Sequence, residues 1–240
     1  RGAGPCADAT AAACLVHAGE AVLGVVFGDL DDDGWPDIYV ANDADPNFLW
    51  RNEDDGTFED WSLLSGTAYS EGGSPEAGMG VDLADVDADG RLDVVVTNFE
   101  LETNALYRNM GGGLFTDTRF PTGIAEPSLL DLAFGVAFAD LDHDGDQDLV
   151  VANGHILDNA VAFNPNSRYA QVNTVLENTG GRFRVADAGL ELARVSRGLA
   201  AGDLDGDGDL DVVVSNSNDV AEVYENVAGA AAGSWLLVDL

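Results

Sequence analysis

The chain has 240 residues, 46% of them hydrophobic and 22% charged, which is enough to bury a sizeable core. Acidic residues outnumber basic ones 44 to 10, the formal net charge is -34, and Arg supplies every basic residue. So acidic a surface repels phosphate backbones, which excludes nucleic acid as a partner, and the lack of Lys excludes Schiff-base chemistry and Walker-type phosphate loops. No apolar run approaches the length of a membrane span, so no membrane insertion is predicted.

Residues 1–20 form an Ala-rich start that carries the only two cysteines, Cys6 and Cys14. They either close a small disulfide loop, as in a secreted protein, or remain free thiols. The first residue is Arg and no charged-then-apolar leader follows it, so the sequence reads as a processed or partial chain.

From residue 21 onward one unit recurs four times, over 21–76, 77–131, 132–194 and 195–229. Each unit opens on a short apolar segment, "VVFG", "VDLA", "VAFA" or "LAAG". An Asp-rich nonapeptide follows: "DLDDDGWPD" (29–37), "DVDADGRLD" (85–93), "DLDHDGDQD" (140–148) and "DLDGDGDLD" (203–211). Then come "IYVAN", "VVVTN", "LVVAN" or "VVVSN", an irregular loop, and "NFLWRN", "NALYRN", "NTVLEN" or "EVYEN". The first three units add a Gly-x-aromatic start at Gly56-Thr57-Phe58, Gly113-Leu114-Phe115 and Gly181-Arg182-Phe183. Residues 230–240 lie beyond the repeats.

The apolar runs last four or five residues, are rich in Val, Leu and aromatics, and show no sustained helical period, so they read as strands. Four short strands per unit, repeated at this spacing, predict an all-β fold: a β-propeller of four-stranded antiparallel blades. A β-sandwich would leave the fourfold match to coincidence. A propeller ring normally needs more blades than four, so the repeats read as part of a larger ring or as an unusually small one. The repeated aromatics Trp50, Tyr107, Tyr224, Phe58, Phe115 and Phe183 are expected in the core rather than on a sugar-binding platform.

Each nonapeptide has Asp at positions 1, 3, 5 and 9 and Gly at position 6. Neighbouring carboxylates repel by about 1 kcal/mol even in water, so the crowding requires a counter-charge. Oxygen ligands at alternating positions suit a hard cation, and Ca²⁺ accepts six to eight of them in flexible geometry, whereas Mg²⁺ prefers to keep its waters. The expected ligands are Asp29, Asp31, Asp33 and Asp37; Asp85, Asp87, Asp89 and Asp93; Asp140, Asp142, Asp144 and Asp148; and Asp203, Asp205, Asp207 and Asp211. The backbone carbonyl at position 7 (Trp35, Arg91, Asp146, Asp209) completes each set. The Gly at position 6 makes the turn, and Gly206 is read as a variable fourth residue. An EF-hand begins the same way but needs an acid at position 12, where this chain has Val40, Val96, Val151 and Val214. About four structural Ca²⁺ ions, each bracing a strand turn, are therefore predicted.

These loops and the segments before them resemble FG-GAP/VCBS repeats, which occur in integrin α-chain propellers and many secreted bacterial proteins. "GVAFADLDHDGDQDLVVANGH" (135–155), "SRGLAAGDLDGDGDLDVVVSN" (196–216) and "LYRN" are similar, more closely, to the cartilage acidic protein (ASPIC/UnbV) family. The end, "SWLLVDL" (234–240), is similar to the first strand of the small domain that follows the repeats there. The resemblance implies a secreted, periplasmic or cell-surface calcium-binding propeller, commonly seven-bladed, with the chain stopping just inside the next domain. Integrin-type RGD motifs are missing.

Catalytic signatures are sparse: there is no H-E-x-x-H, no G-x-S-x-G and no spaced Cys/His cluster. His143, at position 4 of a loop, is expected to face solvent. His155 precedes the longest irregular stretch, 154–172, which reads either as a binding loop or as a variable surface loop. The leading functional expectation is a non-enzymatic, extracytoplasmic module for protein or glycan contacts. The alternatives are a non-catalytic subunit of an extracellular enzyme or surface assembly, and a polysaccharide-active enzyme.

Overall fold

The computed structural model describes residues 8–15 and 21–227. Cys6 lies outside the described residues, and so does any pairing it makes with Cys14. The strand expected within 230–240 also lies outside them.

The first unit folds into β1 (Val22–Gly28), β2 (Asp37–Asn42), β3 (Phe48–Asn52) and β4 (Phe58–Asp60). The second gives β5 (Val81–Ala84), β6 (Asp93–Val96), β7 (Ala105–Asn109) and β8 (Phe115–Asp117). The third gives β9 (Ala133–Ala139), β10 (Asp148–Asn153), β11 (Thr174–Asn178) and β12 (Phe183–Val185). In the fourth the described strands are β13 (Ser196–Gly202), β14 (Asp211–Asn216) and β15 (Glu222–Tyr224). Strands pair in chain order within each antiparallel sheet, and the four sheets are blades of a β-propeller. The fourth blade thus shows three strands rather than the expected four among the described residues. Single-turn helices α1 (Ser62–Ser65), α2 (Arg119–Thr122) and α3 (Ala125–Ser128) occupy the links between blades.

The first strands of successive blades lie side by side, β1 by β5, β5 by β9 and β9 by β13. Close approach is possible because a glycine stands where the backbones meet. A Cβ on Gly135 would lie 2.6 Å from the Leu199 nitrogen, and one on Gly80 would collide with the Phe134 carbonyl.

Each inner blade is covered on both faces, which explains why its second strand is apolar throughout rather than alternating. In β10, Leu149 and Val151 pack toward the second blade while Val150 and Ala152 pack toward the fourth. In β6, Val94 and Val96 join the first blade's core and Val95 the third's. Full burial of one such side chain contributes about 1.5–3 kcal/mol. β1 lacks a neighbour on its outer face among the described residues, and Val25 and Phe27 are exposed there. Of the repeated aromatics, Trp50, Tyr107, Phe115 and Phe183 are buried, in keeping with a core role.

Candidate metal centres

The Asp loops connect the first strand of each blade to its second, so all four stand at the same end of their blades. Their backbone explains the spacing. The glycine at position 6 (Gly34, Gly90, Gly145, Gly208) has φ of 94, 90, 95 and 96°, a region costly for a side chain. Position 4 is left-handed as well: Asp32, Ala88, His143 and Gly206 have φ of 65, 57, 60 and 83°. Position 4 thus varies in residue type, as expected, while its left-handed backbone recurs, and Gly206 adopts it without a side-chain penalty.

The carboxylates organise the loop they belong to. Position 1 accepts the N–H groups of positions 5 and 6, as in Asp33 to Asp29 Oδ1 at 3.1 Å and Gly34 to Asp29 Oδ2 at 2.9 Å. The same pair recurs on Asp85 and Asp140. Asp203 accepts instead from Gly206 and Gly208. Position 5 accepts the N–H of position 7 in all four loops, at 2.8–3.0 Å.

Position 9 is the buried anchor. Asp37, Asp93, Asp148 and Asp211 each take the N–H of position 2 on one oxygen. The other oxygen takes the N–H of an Asn that ends the third strand (Asn52, Asn109, Asn178) or lies two residues beyond it (Asn226). Burial outweighs these bonds and pushes the carboxyls of Asp37, Asp93 and Asp148 up to about 6.

That strand-ending Asn also joins blades, a role the sequence reading missed. Asn109 Nδ2 donates to the Leu30 carbonyl of the preceding blade at 2.9 Å, Asn178 to Val86 at 2.9 Å and Asn226 to Leu141 at 2.8 Å. The residue at position 2 is thus held twice, by its own loop's last Asp and by the next blade's Asn. The signal was available as the one Asn common to "LWRN", "LYRN", "VLEN" and "VYEN".

In every loop three carboxylate oxygens lie within 4.8 Å of one another. The groups are Asp29, Asp31 and Asp33; Asp85, Asp87 and Asp93; Asp140, Asp142 and Asp144; and Asp203, Asp205 and Asp211. Positions 1 and 3 join every group, while the third member is position 5 in two loops and position 9 in the other two. In the second loop, Arg91 pairs with Asp89 and Arg108 pairs with Asp87. An all-oxygen set with spare lone pairs fits a hard divalent cation, so these residues can hold metal ions. The position-7 side chains point elsewhere: Asp146 accepts from Gly180 N–H, and Asp209 meets His143. Any contribution from Trp35, Arg91, Asp146 or Asp209 is therefore through the backbone.

His143 departs from expectation. Its side chain is largely buried, with Nε2 2.7 Å from Asp209 Oδ1, so it ties the third loop to the fourth instead of facing solvent. His155 is buried too. Its Nδ1 accepts the Leu157 N–H at 2.9 Å, and its Nε2 lies 3.6 Å from Glu100 Oε1. At the opposite end of the blades, buried Arg119 is clamped by Glu76 and Asp117. It ties the link after the first blade to the link after the second, and its carboxylates are committed to that pairing.

A profile described as FG-GAP-like repeat matches residues 29–96 and again 85–151, together just over half of the chain. Four antiparallel blades with recurring Asp loops define a repeat propeller, and the chain belongs to the FG-GAP-like repeat family. It is similar to cartilage acidic protein 1: 30% identical to the human protein and 28% to the mouse protein, each over 224 residues. Those alignments take in 90% of this chain but 31% and 32% of the two relatives, so the chain spans about a third of their length. Among solved structures, a rhamnogalacturonan lyase of Bacillus licheniformis is 14% identical, with a TM-score of 0.45 over 82% of this chain and 41% of that one.

Proposed function

We propose that the protein is a calcium-stapled binding module that acts outside the cytoplasm, where it presents a rigid surface to a protein or glycan partner. Each Asp loop holds one structural Ca²⁺ through its position 1, 3, 5 and 9 carboxylates and the position-7 carbonyl. The observation that supports this most is the convergence of three carboxylates at the same end of all four blades. A bound cation supplies the positive charge that this crowding lacks, and it fixes the turn that leads into the buried second strand. Exposed loops of this kind suit the calcium concentrations found outside cells. No described helix is long and apolar enough to cross a membrane.

A non-enzymatic role is supported by how the polar side chains are used. The loop carboxylates hold backbone N–H groups, the Arg119 cluster is internally paired, His155 is buried and His143 is held by Asp209. Calcium titration followed by calorimetry on the whole chain tests the reading. About four bound ions are expected, with Ca²⁺ preferred over Mg²⁺. Fewer than two ions, or activity of the pure chain on a polysaccharide panel, contradicts it.

A further inference from the structure

At the end of the third blade opposite its Asp loop, a cleft of about 500 Å³ opens between residues 166–175 and the link 185–193. Its base is aliphatic, with Val175 and Leu190 buried in the core between the third and fourth blades. Two side-chain amides line it, each more than nine-tenths buried and each with its NH₂ group unpartnered: Gln171 and Asn173.

Both amides are fixed through their oxygens. Gln171 Oε1 accepts the Leu132 N–H at 3.1 Å, and its backbone bridges Arg194 in both directions. Asn173 Oδ1 accepts the Asn153 N–H at 3.0 Å. The Leu132 contact brings Gln171 beside Asp131, which also lines the cleft. Burial alone, with no compensating hydrogen bond, pushes the Asp131 carboxyl up to about 6.

Comparison with the first blade shows a partner that the Asn173 amide lacks. Asn47 there caps the Asn42 N–H as Asn173 caps Asn153, but its amide also meets the hydroxyl of buried Tyr39. Tyr39 stands two residues after Asp37 and pairs with Leu49, and Val150 stands two residues after Asp148 and pairs with Val175. Val in place of Tyr leaves the Asn173 amide without the hydroxyl that meets Asn47. An unpaired buried amide costs free energy unless something else binds it.

We propose that this cleft binds a neutral, hydroxyl-rich ligand of the carbohydrate class. The ring hydroxyls would accept from the Gln171 and Asn173 amides and donate to Asp131, while the apolar face of the sugar would rest on Val175 and Leu190. Charge selects against the other classes. The net charge of -34, with Asp187 and Glu191 on the cleft wall, repels anions. Arg168, also in the lining, donates from its guanidinium to the Pro165 and Ser167 carbonyls, and two free N–H donors oppose a cation. The assignment rests on the reading of the protein as a binding module and gives one ligand class and one address to it.

The test uses the whole chain saturated with Ca²⁺ and the neutral sugars galactose, N-acetylglucosamine, cellobiose and maltose, followed by saturation-transfer NMR and calorimetry. One-to-one, saturable binding of at least one sugar is expected, with glucuronate not bound. Asp131→Ala removes an unpaired carboxyl and should weaken that sugar at least tenfold without lowering the melting temperature. Asn173→Asp keeps the oxygen that caps Asn153 but loses the donor, and should also weaken the sugar tenfold. Sugar binding unchanged in both variants overturns the site while leaving the module reading intact. No binding of any of the four sugars overturns the site as well, and the module reading then stands or falls on calcium stoichiometry and a protein partner.

Discussion

With calcium in the loops as proposed, its removal should reverse the pH dependence of stability. In the metal-free fold, burial raises the carboxyls of Asp37, Asp93 and Asp148 from 3.8 to about 6. The folded chain therefore holds these protons more tightly than the unfolded one. Their stabilising contribution is complete below about pH 4 and is lost as the pH rises through about 6. Moving one carboxyl over that range corresponds to about 3 kcal/mol, or at most about 9 kcal/mol for three. Relaxation toward water reduces this to about 4–6 kcal/mol. For a chain of this size each kcal/mol shifts the melting temperature by about 2–4 °C, and a little under half of that change falls between about pH 5 and about pH 7.5, so chelated protein should melt about 5–10 °C lower near pH 7.5 than near pH 5. Calcium binds the ionised form, so the gain in melting temperature on adding Ca²⁺ should be greatest near neutral pH and shrink on acidification. Thermal unfolding by circular dichroism, in excess chelator and in excess Ca²⁺ across that range, measures both slopes. A chelated protein whose melting temperature stays flat or rises from about pH 5 to about pH 7.5 refutes the argument that buried, uncompensated charge is what the ion relieves.

Two substitutions separate the loop from the joint between blades. In excess chelator, Asp93→Ala strips the acceptors from the Val86 and Asn109 N–H groups and should cost about 3 kcal/mol in urea unfolding, whereas Asp89→Ala, at an exposed site, should cost less than about 1. Asn109→Ala removes the bonds to the Leu30 and Leu92 carbonyls and should cost about 2–3 kcal/mol. Hydrogen exchange should then rise at the junction of the first two blades; protection unchanged there would show that apolar packing alone joins them.

The fourfold unit was legible in the sequence, and with it the antiparallel blades, the loop at each first turn and the glycine at position 6. Those features are local: a short apolar run sets a strand, and a carboxylate meets the N–H groups of residues two to five places along. Trp50, Tyr107 and Phe183 could be placed in the core for a similar reason, since they recur in runs too short and too apolar to remain solvated.

What the sequence left open depends on chain segments far apart. Asp93 and Asp37 look alike as letters, yet only the fold shows that Asp93 joins its loop's carboxylate group while Asp37 does not. Asp211 joins its group as Asp93 does, although position 7 of its loop is Asp209 and not Arg. Asn109 reaches the Leu30 carbonyl across 79 positions, and His143 turns from solvent to Asp209 because the fourth blade lies beside the third. The cleft at the third blade is lined by Gln171 and Asn173 from one segment and by Leu190 from another, a meeting that exists only once the chain has folded. Sequence by itself determined the repeated unit and its turn chemistry, since both follow from neighbouring residues. Tertiary structure alone decided which polar groups were satisfied and which were left to bind something else, because hydrogen bonds between blades have no signature in local order.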